Sequence, residues 1–352
     1  MTEDFRFKCI RPEFISDLEE RLFERRWLIH SIEVDEREVY SSANYLQARL
    51  WCAREWSLVL DVNIFQFIVS SVKKGSYSDQ VRNAIGLVAF CQVARIEIDP
   101  TIACYEKAFQ SAARATEVVS DLGLFHRINN TETTELANFA LGFSNSITAA
   151  SLSPQDDCRI HQEITRYKKL CEWGSFYLMI LKLIQIKCYT HTSNQEKLRQ
   201  FLIWCMDIFR FSLVATVYAV ILFGRSPSRK MMKFRLGDSL GEKRAAASNM
   251  TWDLFLSSKF FEKWVTKGRV EYIFASDDRA FRDVMTLAIK LQQKENFAVL
   301  REQISEEMIG CLKAIHSCRH ERAARAYMSE SWSREYRSSQ IRELETAAFG
   351  VL

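Results

Sequence analysis

Proline and glycine are scarce in this chain, with 4 and 11 among 352 residues, below the average usage of roughly 5% and 7%. That scarcity argues against a turn-rich architecture. Apolar positions recur instead at three and four residue steps in many segments, the signature of helices. Net charge is also small, with 48 basic against 44 acidic side chains. No global field recommends nucleic acid, so any such argument rests on local patches. The ten cysteines contain no Cys-x-x-Cys pair, and the opening MTEDFRFK is polar and mixed in charge rather than secretory in character. The expectation is a reducing cytoplasm and free, mostly buried thiols.

Long apolar runs are missing too. The most hydrophobic window, FLIWCMDIFRFSLVATVYAVILFG at 201–224, is interrupted by Asp207 and Arg210, leaving 14 uncharged residues from Phe211. A membrane span needs ~20, so the window reads as a buried helix and no membrane association is expected. CLKAIHSCRH at 311–320 brings two Cys and two His within ten residues. On a helix Cys311 and Cys318 share one face while His316 and His320 share another, which excludes a common zinc ion.

What is present is a folded chain, 48% apolar, with enough hydrophobic content for a sizeable core. Residues 1–55 read as a helical N-terminal segment with two helices before the first strand. WSLVLD at 56–61 is a short apolar strand, followed by the helix-length IFQFIVSSVKKG that stops at Gly75. A helix over 80–95, the extended IEID at 96–99 and a helix opening at Pro100 repeat the pattern. Far downstream, VEYIFAS precedes Asp277, Asp278 and another helix. Strands alternating with helices predict an α/β domain with a parallel sheet flanked by helices, over 56–295. A mostly helical insertion lies at about 121–245, and a charged helical segment follows over 296–352.

Ligands of open parallel sheets bind beyond the carboxyl ends of the strands. Asp61 and Asp278, each ending an apolar strand, are therefore expected at one crevice. Glu106 and Asp253 are each expected early in a helix, able to lean over the same edge. Four converging carboxylates repel one another and call for a cation.

These residues resemble the PIN-domain nucleases of toxin and ribonuclease type. LDVNIF is similar to their opening strand and Asp-x-Asn, DPTIACYEKAF to their proline, gap and glutamate, TWDLFL to their helix-borne third aspartate, and IFASDDRAF to their closing strand with Ser or Thr, x, Asp. The order along the chain agrees. The departure is spacing, with Asp253 lying 147 positions after Glu106, and Asp238 in RLGDSLGEK competes for the third place. The resemblance implies a PIN-like fold and a Mg²⁺- or Mn²⁺-dependent nuclease, acting on RNA in preference to single-stranded DNA, with Asp61, Glu106, Asp253 and Asp278 as its acidic set. Hard oxygen ligands suit those ions. Asp61, Asp253 and Asp278 are assigned to the metal, Glu106 to metal-bound water, and Asn63 and Ser276 to holding the aspartates. Asp277 is expected to be a turn or cap residue.

The run GRSPSRKMMKFRLGDSLGEKR at 224–244 holds seven Lys or Arg against two acids. With Arg229, Lys230, Lys233 and Arg235 it suits a phosphate backbone, and it equally suits a solvated surface. The competing class is a helical interaction protein on a degenerate nuclease-like core, and the charged helices suit a protein partner or self-association under either reading. A phosphatase of haloacid dehalogenase type is less favoured, because its chemistry needs an aspartate where Asn63 stands.

Overall fold

The computed structural model describes residues 12–30, 35–109, 112–151, 172–207, 209, 211–225, 231–265, 268–294, 296–327 and 333–349. It is mixed α/β and predominantly helical, with a four-stranded, mostly parallel sheet flanked by helices. The chain forms two compact units, Met1–Lys169 with Glu262–Asp277, and Leu170–Phe261 with Asp278–Leu352.

The first unit contains the sheet, whose strand order is β1-β4-β2-β3. β2 (Glu55–Leu60) pairs in parallel with β3 (Glu97–Asp99) on one side and with β4 (Val270–Ala275) on the other, with Leu60 opposite Ala275. Trp56 to Leu60 are all buried. A strand covered on both faces reads as a continuous apolar run rather than as an alternation, which is why WSLVLD was legible. β1 (Leu28–His30) adds an antiparallel edge to β4, with Ile29 opposite Phe274. This strand replaces part of the expected all-helical N-terminal segment, because three residues are too few for any periodicity to show.

Helices α1 (Pro12–Arg25), α2 (Ser42–Cys52), α3 (Val62–Lys73), α4 (Asp79–Ala94), α5 (Thr101–Phe109), α6 (Ala112–Asn129) and α7 (Thr133–Leu141) complete this unit. α3 buries Ile64, Phe65, Ile68 and Val69, one stripe at helical spacing. α4 ends at Arg95, whose left-handed φ of 55° lets its N–H close on the Cys91 and Gln92 carbonyls. The helix expected to run on from Pro100 is divided into α5 and α6. Phe65, Phe90, Phe125 and Phe139 lie at the centre of the core.

The second unit is helical: α8 (Trp173–Tyr189), α9 (Asn194–Asp207), α10 (Leu213–Phe223), α11 (Leu240–Val265, its last residues counting with the first unit), α12 (Arg279–Lys294), α13 (Glu306–Tyr327) and α14 (Arg334–Phe349). The apolar window at 201–224 is two helices rather than one, because extended Ser212 caps α10 by accepting from the Ala215 N–H at 3.3 Å. α10 is buried from Val214 to Phe223, which accounts for its hydrophobicity. No helix among the described residues is long and apolar enough to cross a membrane. The C-terminal segment is part of this unit: α14 packs on α8, with the Tyr177 hydroxyl donating to Glu345 at 2.6 Å. Cys52, Cys91, Cys104, Cys188, Cys205 and Cys311 are free.

One buried ionic cluster joins three helices of the first unit. Lys73 of α3 reaches Glu117 and Asp121 of α6, both at 2.7 Å, and Lys107 of α5 bonds the same two acids. The Lys107 and Asp121 side chains keep only 7% and 3% of their exposure, against 43% for Glu117. Removing one partner of a buried pair strands the other charge. Asp121→Asn is expected to destabilise the protein by about 3 kcal/mol and Glu117→Gln by less than about 1 kcal/mol. Urea unfolding of both variants checks this, and equal losses would contradict the burial argument.

Candidate active site

Asp61 leaves the carboxyl end of β2 and is buried. Its Oδ1 accepts from the Ile64 N–H at 2.8 Å, capping α3, and its own N–H donates to the Ala275 carbonyl at 3.1 Å. The Ser276 hydroxyl also bonds its carboxylate. The structure thus brings Asp61 and Ser276 together. Asn63 is exposed on the first turn of α3, and the groups holding Asp61 are the Ile64 and Asp277 amides and Ser276 rather than Asn63. Burial pushes the Asp61 carboxyl up to about 6, against these three hydrogen bonds, with the charge of Asp277 adding to the rise.

Asp277 lies in the bend between β4 and α12 but does not cap the helix. Its Oδ1 accepts from the Trp27 indole N–H at 2.7 Å, tying the end of β4 to the residue before β1. The cap of α12 is Asp278, whose Oδ1 accepts from the Ala280 and Phe281 N–H groups at 2.8 and 3.2 Å. Glu106 is buried on α5, the sixth residue of a nine-residue helix.

Asp253 lies halfway along the 26-residue α11 rather than near its start. The helix begins earlier than expected because Ser239 and Glu242 form a capping box: the Glu242 carboxylate accepts from the Ser239 N–H at 2.8 Å, and Ser239 Oγ from the Glu242 N–H at 3.4 Å. Lys233, expected to meet phosphate, faces the candidate acids. Its Nζ stands 2.8 Å from Asp253 Oδ2 and 3.7 Å from Asp278 Oδ2. The Asp253 carboxyl is raised above the usual carboxylate range, chiefly by burial, with Lys233 opposing the shift and Asp278 adding to it. Tyr218 is raised by burial and by the same two aspartates. Asp238, the competing third acid, sits in the turn before α11, its N–H donating to the Arg235 carbonyl at 3.3 Å. Arg235 is exposed, and Arg229 and Lys230 lie outside the described residues.

Sequence reasoning passed over Asp99, a further strand-end acid. It ends β3, accepts from the Thr101 N–H at 2.9 Å and pairs with Lys263. The signal was present in IEIDP, since Asp before Pro at a strand end is itself a turn signature.

Among the described residues no group of three or more His, Cys, Asp or Glu is gathered to hold a metal ion. The pair Asp253 and Asp278 nonetheless suits a hard cation, since both present a carboxylate oxygen to one ammonium. Mg²⁺ commonly takes one or two carboxylates and completes its shell with water and phosphate. No protein-family model matches the chain, and neither a curated protein nor a solved structure matches it.

The Asp61 setting yields a pH test. Its folded pKa lies above the unfolded value of about 3.9, so ionising it costs native stability. The cost is absent below pH 4, grows as pH rises to about 6 and is complete above that, at roughly 2–3 kcal/mol. Asn caps a helix as well as Asp does and carries no charge. With a chelator present, Asp61→Asn should exceed the parent in stability by about that amount at pH 7.5, and match it at pH 4. Urea melts across this range measure it; a pH-independent difference would contradict the account.

Proposed function

We propose that this protein is a metal-dependent nuclease that hydrolyses phosphodiester bonds, with cytoplasmic RNA as the favoured substrate and single-stranded DNA second. The observation that carries the reading is the facing of Asp253 and Asp278, from separate elements, on one cationic group. The order of the four acidic motifs along the chain adds to it. The acids this reading assigns are Asp61, Glu106, Asp253 and Asp278.

Asp253 and Asp278 would hold Mg²⁺ or Mn²⁺, which when bound supplies charge stabilisation and an activated water. Asp278 is set for this by its cap: Oδ1 is fixed by two amides, so Oδ2 is aimed without a rotamer search. Asp253 is aimed by the rigidity of a long helix. Asp61, buried and held by Ser276, keeps one orientation, and it joins the acidic set on the order of the motifs along the chain. Exposed Arg235 is available to a phosphate backbone.

The interaction-module reading is favoured by one feature: Lys233 already neutralises the two aspartates, as a purely structural ion pair would.

Asp278→Asn separates the two. Asn retains the cap, so stability should change by less than about 1 kcal/mol. Loss of the charge should lower Mn²⁺-dependent cleavage of single-stranded RNA by ~100-fold or more. A chelator should abolish cleavage by the parent. Cleavage that persists in Asp278→Asn or in chelator would count against metal-assisted hydrolysis at this pair, and an absence of cleavage on RNA and DNA alike leaves the interaction module as the better reading.

A further inference from the structure

We infer that Lys233 is a built-in counter-cation, its ammonium holding the place between Asp253 and Asp278 until a divalent cation displaces it. The inference rests on the nuclease reading and goes beyond it, since it makes the metal-free state a closed one and gives Lys233 two positions.

Three observations carry it. The two carboxylates come from different elements, and the ammonium comes from a third segment, Met231–Arg235, which is neither helix nor strand. That segment is pinned on both sides of Lys233. The Met231 carbonyl accepts from the Tyr218 hydroxyl at 3.0 Å, and buried Phe234 stacks on Phe349 with ring centroids 6.0 Å apart. Only the side chain therefore needs to move, and it retains 33% of its exposure, which leaves a route to water.

The contact is also uneven. The ammonium is within hydrogen-bond distance of Asp253 but 3.7 Å from Asp278, so it lies closer to one carboxylate than to the other. A divalent cation carries twice the charge and draws carboxylate oxygens to ~2.0–2.6 Å.

Space decides between addition and displacement. The pocket lined by Tyr218, Lys233, Asp253, Ser257, Asp278 and Phe281 measures about 10 Å³, about one water-sized sphere. A cation with its remaining waters does not fit beside the lysine, so its entry requires the lysine to leave. The freed ammonium, on its four-carbon stem, then stands at the rim of the pocket, where a phosphate of the substrate would meet it. Cation binding would thereby turn a residue that closes the pocket into one that attracts the polyanion.

The test uses the full chain and Mn²⁺ alone, with affinity read from the paramagnetic resonance of free Mn²⁺ and from the metal-induced rise in Tm. Lys233→Met keeps the stem and removes the competing charge; Lys233→Arg keeps the charge. Lys233→Met should bind Mn²⁺ about tenfold more tightly than the parent, show the larger rise in Tm, and melt lower without metal. Lys233→Arg should stay close to the parent. A measurement on the unaltered protein guards against a variant that does not fold: acetylation of Lys233, followed by mass spectrometry, should rise several-fold when Mn²⁺ saturates the site. Equal or weaker Mn²⁺ binding by Lys233→Met, or acetylation indifferent to Mn²⁺, overturns the displacement and leaves the nuclease reading standing. No Mn²⁺ binding by parent or variant overturns both.

Discussion

The constraint on which the candidate site depends is the passage from a buried parallel strand into a helix. The first amide groups of a helix have no partner within it, and at a buried strand end water cannot supply one. At each parallel strand of this chain an aspartate carboxylate does so. Asp61 caps α3, Asp99 accepts from the first residue of α5, and Asp278 caps α12. A carboxylate at the sheet's carboxyl edge is therefore first a structural need, and capping alone explains one oxygen of each.

What distinguishes the three acids is the rest of each carboxylate's surroundings. Asp99 Oδ2 meets the Lys263 ammonium, which closes a local ion pair. Asp278 Oδ2 faces the Lys233 ammonium together with Asp253. Asp61 faces a hydroxyl and amides, and burial dominates its proton affinity. One capping architecture thus gives an acid tied to a lysine, an acid sharing a cation, and an acid that resists ionisation.

Much of the α/β framework was legible. β2, β3 and β4 lie within a residue of the extended runs, since buried parallel strands are continuous apolar stretches bounded by polar turns. Asp61 and Ser276 were placed at the right strand ends for the same reason. β1 was not, being three residues long and recognisable only from its pairing with β4. Asp277 was read as a turn or cap residue, whereas the cap is Asp278, because either could accept from the following amides. A hydrogen bond from Trp27, 250 positions away, decides the matter.

The sequence by itself determined the local decisions: where strands run, where helices start, and which residues punctuate them. Such choices depend on neighbours within a few positions, through periodicity, capping and the scarcity of breakers. Only the tertiary structure decided which charges meet. Lys233 reads as one member of a basic run until packing sets it against Asp253 and Asp278. Lys107 is buried with Asp121, a partner 14 positions away on another helix. Contacts of this kind join residues from separate elements, and their strength comes from exclusion of water, which no local pattern in the chain records.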